Sequence, residues 1–267
     1  MNAPDASAAE GELQQARAEL ARAQQQMADM AAAQEEFLRA VSHDLRAPLR
    51  HVTSYGTLVR EVLGDLPADV LQRAEVQEAL RFLATMDQSA RRMGLMIDGL
   101  LALARTGRAP LQLQPVALGD AVAQARQALA AAEAGRTVQW RVAVDALPPL
   151  RADPALLHAL LAELLGNALK FSRATAQPCI TVAATAAPEG QVAFVVQDNG
   201  AGFDPARAGS LFGVFQRLHR ETEFEGVGAG LALCQQVARR HGAEVAATAT
   251  PGEGCTVRVQ WPAAHGS

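Results

Sequence analysis

From Glu12 to Ala47 the chain contains neither glycine nor proline, and its apolar residues repeat at alternating spacings of three and four. Leu13, Ala16, Leu20, Ala23, Met27, Met30, Phe37 and Val41 form a heptad seam interrupted at Gln34. Such a seam predicts a long helix that pairs with another helix along a narrow stripe. Near Gln34 the seam changes phase and continues as Leu38, Val41, Leu45, Val52, Tyr55, Val59 and Val62, a step that locally unwinds a coiled coil. Residues 1–11 read as a disordered leader and 12–36 as a parallel coiled coil. Gly64-Asp65-Leu66-Pro67 ends this helix. A second helix is expected from about Ala68 or Glu75 to Arg105, with its seam at Val76, Leu80, Leu83, Ala90, Ile97, Leu101 and Ala104. Two helices joined by a short connection make a hairpin. One hairpin alone leaves an apolar stripe in water, so residues 37–106 are expected to form a dimeric four-helix bundle in a homodimer.

Residues 107–114 read as a linker, and beyond it the periodicity becomes mixed. Helices are expected at 118–133, 154–170 and 229–241, and strands at 137–144, 179–185, 191–198, 243–249 and 255–261. The order predicts an α/β sandwich over 115–262 with helices on one face. A net charge of −4 excludes a broadly basic nucleic-acid binder. No apolar run reaches the ~20 residues of a membrane helix. The three cysteines are far apart and without metal-ligand spacing, which predicts buried reduced thiols and a cytoplasmic protein. An upstream sensory domain, if the system has one, is not in this chain. Lys170 is the only lysine among many arginines, which singles out its position.

Within the first helix, Phe37-Leu38-Arg39-Ala40-Val41-Ser42-His43-Asp44-Leu45-Arg46-Ala47-Pro48-Leu49 carries a chemical possibility. With Leu38, Val41 and Leu45 on the seam, His43 falls on the outer face. A solvated imidazole is a competent nucleophile near neutral pH. The adjacent Asp44 can accept the proton of one ring nitrogen and leave the other free to attack. Pro48 removes a helical hydrogen bond and is expected to bend the helix.

In the second half, Glu163, Asn167 and Lys170 share one face of an otherwise leucine-rich helix. A carboxylate, an amide and an ammonium so placed can hold Mg²⁺ and phosphate oxygens. Asp198-Asn199-Gly200-Ala201-Gly202-Phe203 follows a strand, where Asp198 can accept a hydrogen bond from an exocyclic amine. Gly226-Val227-Gly228-Ala229-Gly230-Leu231 opens a helix, an arrangement that presents backbone N–H groups to phosphate.

The acceptor segment resembles that of sensor histidine kinases, most closely the phytochrome-type and related kinases. The three later motifs resemble the asparagine box and two glycine boxes of the Bergerat-type ATP-binding fold. Leu211-Phe212-Gly213-Val214-Phe215-Gln216-Arg217-Leu218-His219 resembles the phenylalanine box, and 213–225 the mobile lid. The resemblance covers roughly residues 30–262. It implies that His43 becomes phosphorylated from ATP and passes the group to an aspartate of a response-regulator receiver domain. It assigns Asn167 to Mg²⁺, Glu163 and Lys170 to the metal and phosphates, and Asp198 to the adenine amine. Gly200, Gly202 and Phe215 fall to the nucleotide wall, and Gly226, Gly228 and Gly230 to the lid hinge and phosphates. Two positions depart from relatives: Ala47 stands where Thr or Asn helps dephosphorylate the regulator, and Ala229 where a larger aliphatic residue is common. A Bergerat-type ATPase clamp and a non-enzymatic docking dimer are the rival readings.

Overall fold

The computed structural model describes residues 3–108, 110–133, 135–144, 147–187, 190–220 and 222–264. The chain divides into two units, residues 1–48 and 49–267. Helix α1, Ala3–Gly64, supplies all of the first unit's regular structure and contains Pro48. It starts inside the segment expected to be a disordered leader. Alanine-rich sequence favours helix there, and Pro4 sits in the first turn, where its missing N–H is not needed. Leu13, Leu20, Met27, Met30 and Phe37 of the expected seam are exposed in the single chain. On the polar side, Gln15 and Gln25 donate to Glu19 (3.1 Å) and Asp29 (2.8 Å) one turn ahead.

In the second unit the last turns of α1 lead to α2 (Ala68–Leu71) and α3 (Ala74–Thr106), so both expected helix starts are used. The expected α3 stripe is half-buried or buried along its length, with Ala90 and Leu101 fully covered. On α1, Val52, Tyr55, Val59 and Val62 remain exposed, while Thr53, Gly56 and Leu63 are more covered. The stripe read as a seam is thus free in one chain.

The remainder is an α/β sandwich. A five-stranded sheet has the order β2 (Gln139–Ala143), β4 (Cys179–Ala187), β5 (Gln191–Asp198), β7 (Gly254–Pro262), β6 (Glu244–Thr250). Only the β2–β4 pair is parallel. Helices α4 (Leu118–Ala128), α5 (Pro154–Phe171) and α6 (Gly230–Arg240) complete it. Their core joins Leu157, Leu160, Leu161, Leu164 and Leu165 to Val192, Phe194, Val259 and Trp261. Residues 130–133, expected as helix, form a 3₁₀ turn after α4. Strands β1 (Gln114–Val116) and β3 (Leu150–Ala152) pair antiparallel and were not expected. At three residues each they are too short to show a period.

A polar node ties these elements together. Asp153 caps α5 by accepting from Ala155 N (3.1 Å) and Leu156 N (3.3 Å), and its other oxygen accepts from Gln112 N (3.0 Å). His241 accepts from Asp153 N at Nε2 (3.0 Å) and donates from Nδ1 to Val237 O (2.8 Å). Its ring lies 4.7 Å from that of Trp261, whose indole donates to Arg151 O (3.1 Å). Burial lowers the His241 pKa from 6.5, more than the Val237 carbonyl and Asp153 raise it. The unfolded chain therefore binds this proton more readily, and His241 contributes stability above pH 6.5 that is lost as pH falls toward its folded pKa. We expect the apparent Tm to fall between pH 7.5 and 5, and His241→Gln to flatten that dependence, as read by calorimetric unfolding. An equal slope in both proteins would refute the assignment.

Candidate functional site

Strand alternation positions the acid. Val192, Phe194 and Val196 face the helices, and the same parity carries Asp198 to that side at the strand end. Asp198 is buried and accepts from Gly200 N at 2.8 Å. Burial pushes its pKa from 3.8 to about 6, against the hydrogen bonds from Gly200 and Cys255. Asn199 serves structure: it accepts from Cys179 N (2.8 Å) and donates to Gln177 O (2.9 Å). Gly202 has φ +60° and stands so close to the Thr250 carbonyl that any Cβ would collide.

Asp198 and Gly202 open into a cavity of about 360 Å³ that Glu163, Asn167, Lys170, Gly226, Gly228 and Gly230 also line. The residues the sequence predicted for the nucleotide are therefore brought together from α5, the end of β5 and the turn before α6, with two exceptions. Gly200 does not line the cavity; its backbone holds Asp198, and a Cβ there would collide with the Phe171 carbonyl. Phe215 does not line it either. Its left-handed backbone (φ 61°) and the bond from its N–H to Gly228 O (2.9 Å) direct the ring toward Gly99 on α3.

Burial raises the Glu163 pKa and lowers that of Lys170, and each charge partly offsets the other's shift. Among the described residues no hydrogen bond engages the Glu163 carboxylate or the Asn167 amide. Their oxygens, one turn apart and facing the cavity, fit a divalent cation. They form no group of three or more acidic, His or Cys ligands, so such a cation needs further oxygens from elsewhere.

Several wall residues were missed. The segment after Phe215 is held by arginines: Arg217 donates to Phe224 O (2.6 Å) and Gly226 O, and Arg207 to Arg217 O and Leu218 O (both 3.1 Å). Arg173 donates to Glu225 (2.6 Å) and Glu223 O. Phe171, His219 and Phe224 stack with centroids 4.9–5.2 Å apart. Cys255 lines the cavity and is not fully buried, contrary to expectation; burial pushes its thiol up to about 12, and only Cys234 is buried outright. Leu95 and Gly99 of α3 complete the wall. A Cβ at Gly99 would lie 2.7 Å from that of Ala229, so the small residue at 229 is matched to a glycine rather than loosely packed.

In the first unit, His43 and Asp44 are both exposed, and His43 Nδ1 lies 3.2 Å from Asp44 Oδ1. No helix among the described residues is long and apolar enough to cross a membrane.

Comparison with known proteins agrees with both halves. Residues 33–108 match the His Kinase A (phospho-acceptor) domain, and 152–265 the histidine kinase-, DNA gyrase B- and HSP90-like ATPase family. Cyanobacterial phytochrome A of Nostoc is 33% identical over 83% of this chain and 27% of its own length. The alginate biosynthesis sensor protein KinB of Pseudomonas aeruginosa is 31% identical over 82% of the chain and 35% of its own. The chain thus spans about a third or less of these relatives. The crystal structure of full-length ShkA in complex with AMPPNP aligns with TM-score 0.59 at 27% identity, over 87% of this chain and 46% of that one.

The Asp198 carboxyl is more easily protonated folded than unfolded, so its charge opposes folding above pH 3.8 and most fully above about 6. The rise from 3.8 to about 6 bounds this cost at about 3 kcal/mol. Asp198→Asn is expected to raise stability at pH 7.5 by about 1–2 kcal/mol while removing nucleotide binding. In the wild type, nucleotide affinity should rise with pH through about 6. Chemical denaturation and titration with a fluorescent ATP analogue check these outcomes; a variant that is destabilised and still binds contradicts them.

Proposed function

We propose that this chain, which belongs to the sensor histidine kinases, transfers the γ-phosphoryl group of ATP to His43 and then to an aspartate on a separate response regulator. The observation that carries this reading is one cavity gathering Asp198, Asn167, Glu163, Lys170 and the 226–230 glycines, in a chain that also presents an exposed His43–Asp44 pair.

In this reading Asp198 accepts a hydrogen bond from the adenine amine, and Gly202 lines the wall beside it. The Lys170 ammonium and the backbone N–H groups at Gly228 and Gly230 meet the phosphates. Asn167 and Glu163 would hold Mg²⁺, which supplies charge neutralisation on the phosphate oxygens when bound. Asp44 holds the proton at Nδ1 of His43 and leaves Nε2 free. The Nε2 lone pair forms the new N–P bond, the bond from γ-phosphorus to the β,γ-bridging oxygen breaks, and ADP leaves. Dimerisation, which the phosphoacceptor domain implies, would cover the exposed Val52, Tyr55, Val59 and Val62 stripe. An ATP-dependent reaction of this kind belongs in the cytoplasm.

With γ-labelled ATP, a kinase gives acid-labile label on the protein, a clamp-type ATPase only free phosphate, and a docking module neither. We expect acid-labile label on the wild type and none on His43→Gln, with ATP affinity within about twofold because the substitution leaves the cavity residues untouched. Persistent phosphohistidine in the variant would falsify the acceptor assignment. Dephosphorylation of the regulator should be slow, because Ala47, one turn after His43, offers no polar group to orient a water. Ala47→Thr is expected to accelerate loss of label from a purified phosphorylated regulator. Fast wild-type loss that the substitution leaves unchanged would sink this account.

A further inference from the structure

We propose that Lys170 is a covalent modification site, whose amine takes the acyl group of an acyl phosphate that enters the cavity. This rests on the nucleotide reading in one respect, that the glycine turn before α6 receives phosphate.

Apart from the α-amino terminus, Lys170 carries the only primary amine of the chain. It stands in the last turn of α5, half-buried, and lines the cavity. Its Nζ lies 4.3 Å from the centre of the Phe171 ring. On the other side it reaches the glycine turn, where a Cβ added at Gly226 would lie 3.6 Å from Nζ. Among the described residues no hydrogen bond or ion pair holds the amine. Glu225, Glu163, Arg217 and Arg173 act on it through space. Burial lowers its pKa from 10.5, more than the two carboxylates raise it, so the neutral amine is more available than on a solvated lysine.

The turn supplies the second half of the site. Helix α6 starts at Gly230 with no side chain capping its first turn, so its leading N–H groups can meet an anion. An acyl phosphate carries its phosphorus and its electrophilic carbon on the two sides of one oxygen. With the phosphate on the turn, the acyl carbon falls beside the amine that packs against the same turn. The lone pair of the unprotonated Nζ adds to the carbonyl carbon. The bond from that carbon to the bridging oxygen breaks, its electron pair leaves with the phosphate, and the amine proton passes to the phosphate. The products are an amide on Lys170 and inorganic phosphate. Cys255, the other nucleophile lining the cavity, does not compete, because burial pushes its pKa up to about 12 and keeps it a thiol. The amide replaces the ammonium that would meet the phosphates of ATP, so acylation closes the cavity to the nucleotide.

The test treats the full chain with acetyl phosphate at pH 8 and reads the products by intact mass and peptide mapping. One acetyl group should form on Lys170, about tenfold or more faster than on the same lysine in the urea-unfolded chain, because the folded cavity holds both reactants together. ATP at about ten times its Kd should slow this about tenfold, since about a tenth of the sites stay open. Lys170→Arg should leave only acetylation of the α-amino terminus, at a rate that ATP does not alter. Calorimetry on the acetylated wild type should show ATP affinity reduced about tenfold or more. Equal rates at Lys170 in the folded and unfolded chains overturn the proposal. So does an acetyl group found on Cys255 instead, or fast acetylation of Lys170 that bound ATP leaves unchanged. Failure of the untreated chain to bind ATP in calorimetry overturns instead the nucleotide reading.

Discussion

The leucine face of α5 pressed against the sheet is the contact on which the rest of the site depends. Leu157, Leu160, Leu161, Leu164 and Leu165 are each at most 2% exposed. Burying a leucine side chain is worth about 2 kcal/mol, so the five together hold the helix with about 10 kcal/mol of transfer energy before chain entropy is counted. Turning α5 by one residue, about 100°, would expose part of this face and press charge into the core. The helix therefore has one orientation, and in it Glu163, Asn167 and Lys170 must face the cavity. Asp153 fixes the same helix at its start, by capping it and by binding the segment that arrives from α3. The apolar pattern thus sets the rotation of the polar groups, and the cap sets their height.

What was legible in the sequence follows from this. Periodicity reveals faces, and the site groups lie on faces: three on one side of α5, and Asp198 in phase with Val192, Phe194 and Val196. Contacts that are not periodic were invisible. The pairing of β1 with β3 joins three-residue segments more than 30 positions apart, with no pattern of their own. Phe215 stands within an aromatic motif, yet a left-handed backbone turns it off the cavity wall, and single-residue dihedrals leave no trace in composition. The first turns of α1 looked like a polar leader because their helicity comes from alanine propensity rather than from an apolar stripe.

The arginine clamps on the segment after Phe215 were illegible for a different reason. Arg173, Arg207 and Arg217 reach backbone carbonyls at Glu223, Leu218, Arg217, Phe224 and Gly226. Every residue has a carbonyl, so the partner carries no signature in the sequence. Guanidinium–carbonyl bonds at an exposed rim are individually weak against water, so several are needed to fix one conformation. The stacked Phe171, His219 and Phe224 add an apolar latch at the same place.

The pair Gly99 and Ala229 links this site to the helical hairpin. Either residue alone looks like a loss of packing: a glycine inside α3, where it costs about 1 kcal/mol of helix propensity, and a small alanine at the entry to α6. Together they allow α3 to lie directly against the turn before α6, with no room for a methyl group at 99. Leu95, one turn earlier, enters the cavity wall at the same level. Thr106 and Gly107, near the end of α3, lie against Arg240 and Gln236 of α6. Helix α3 is thereby part of the cavity's own wall. Any displacement of α3 along or about its axis must either break these close contacts or carry the glycine turn with it, because close-packed interfaces shift between discrete arrangements rather than deform smoothly. In this chain, the glycine turn of the cavity and helix α3 are thus held in one close-packed contact.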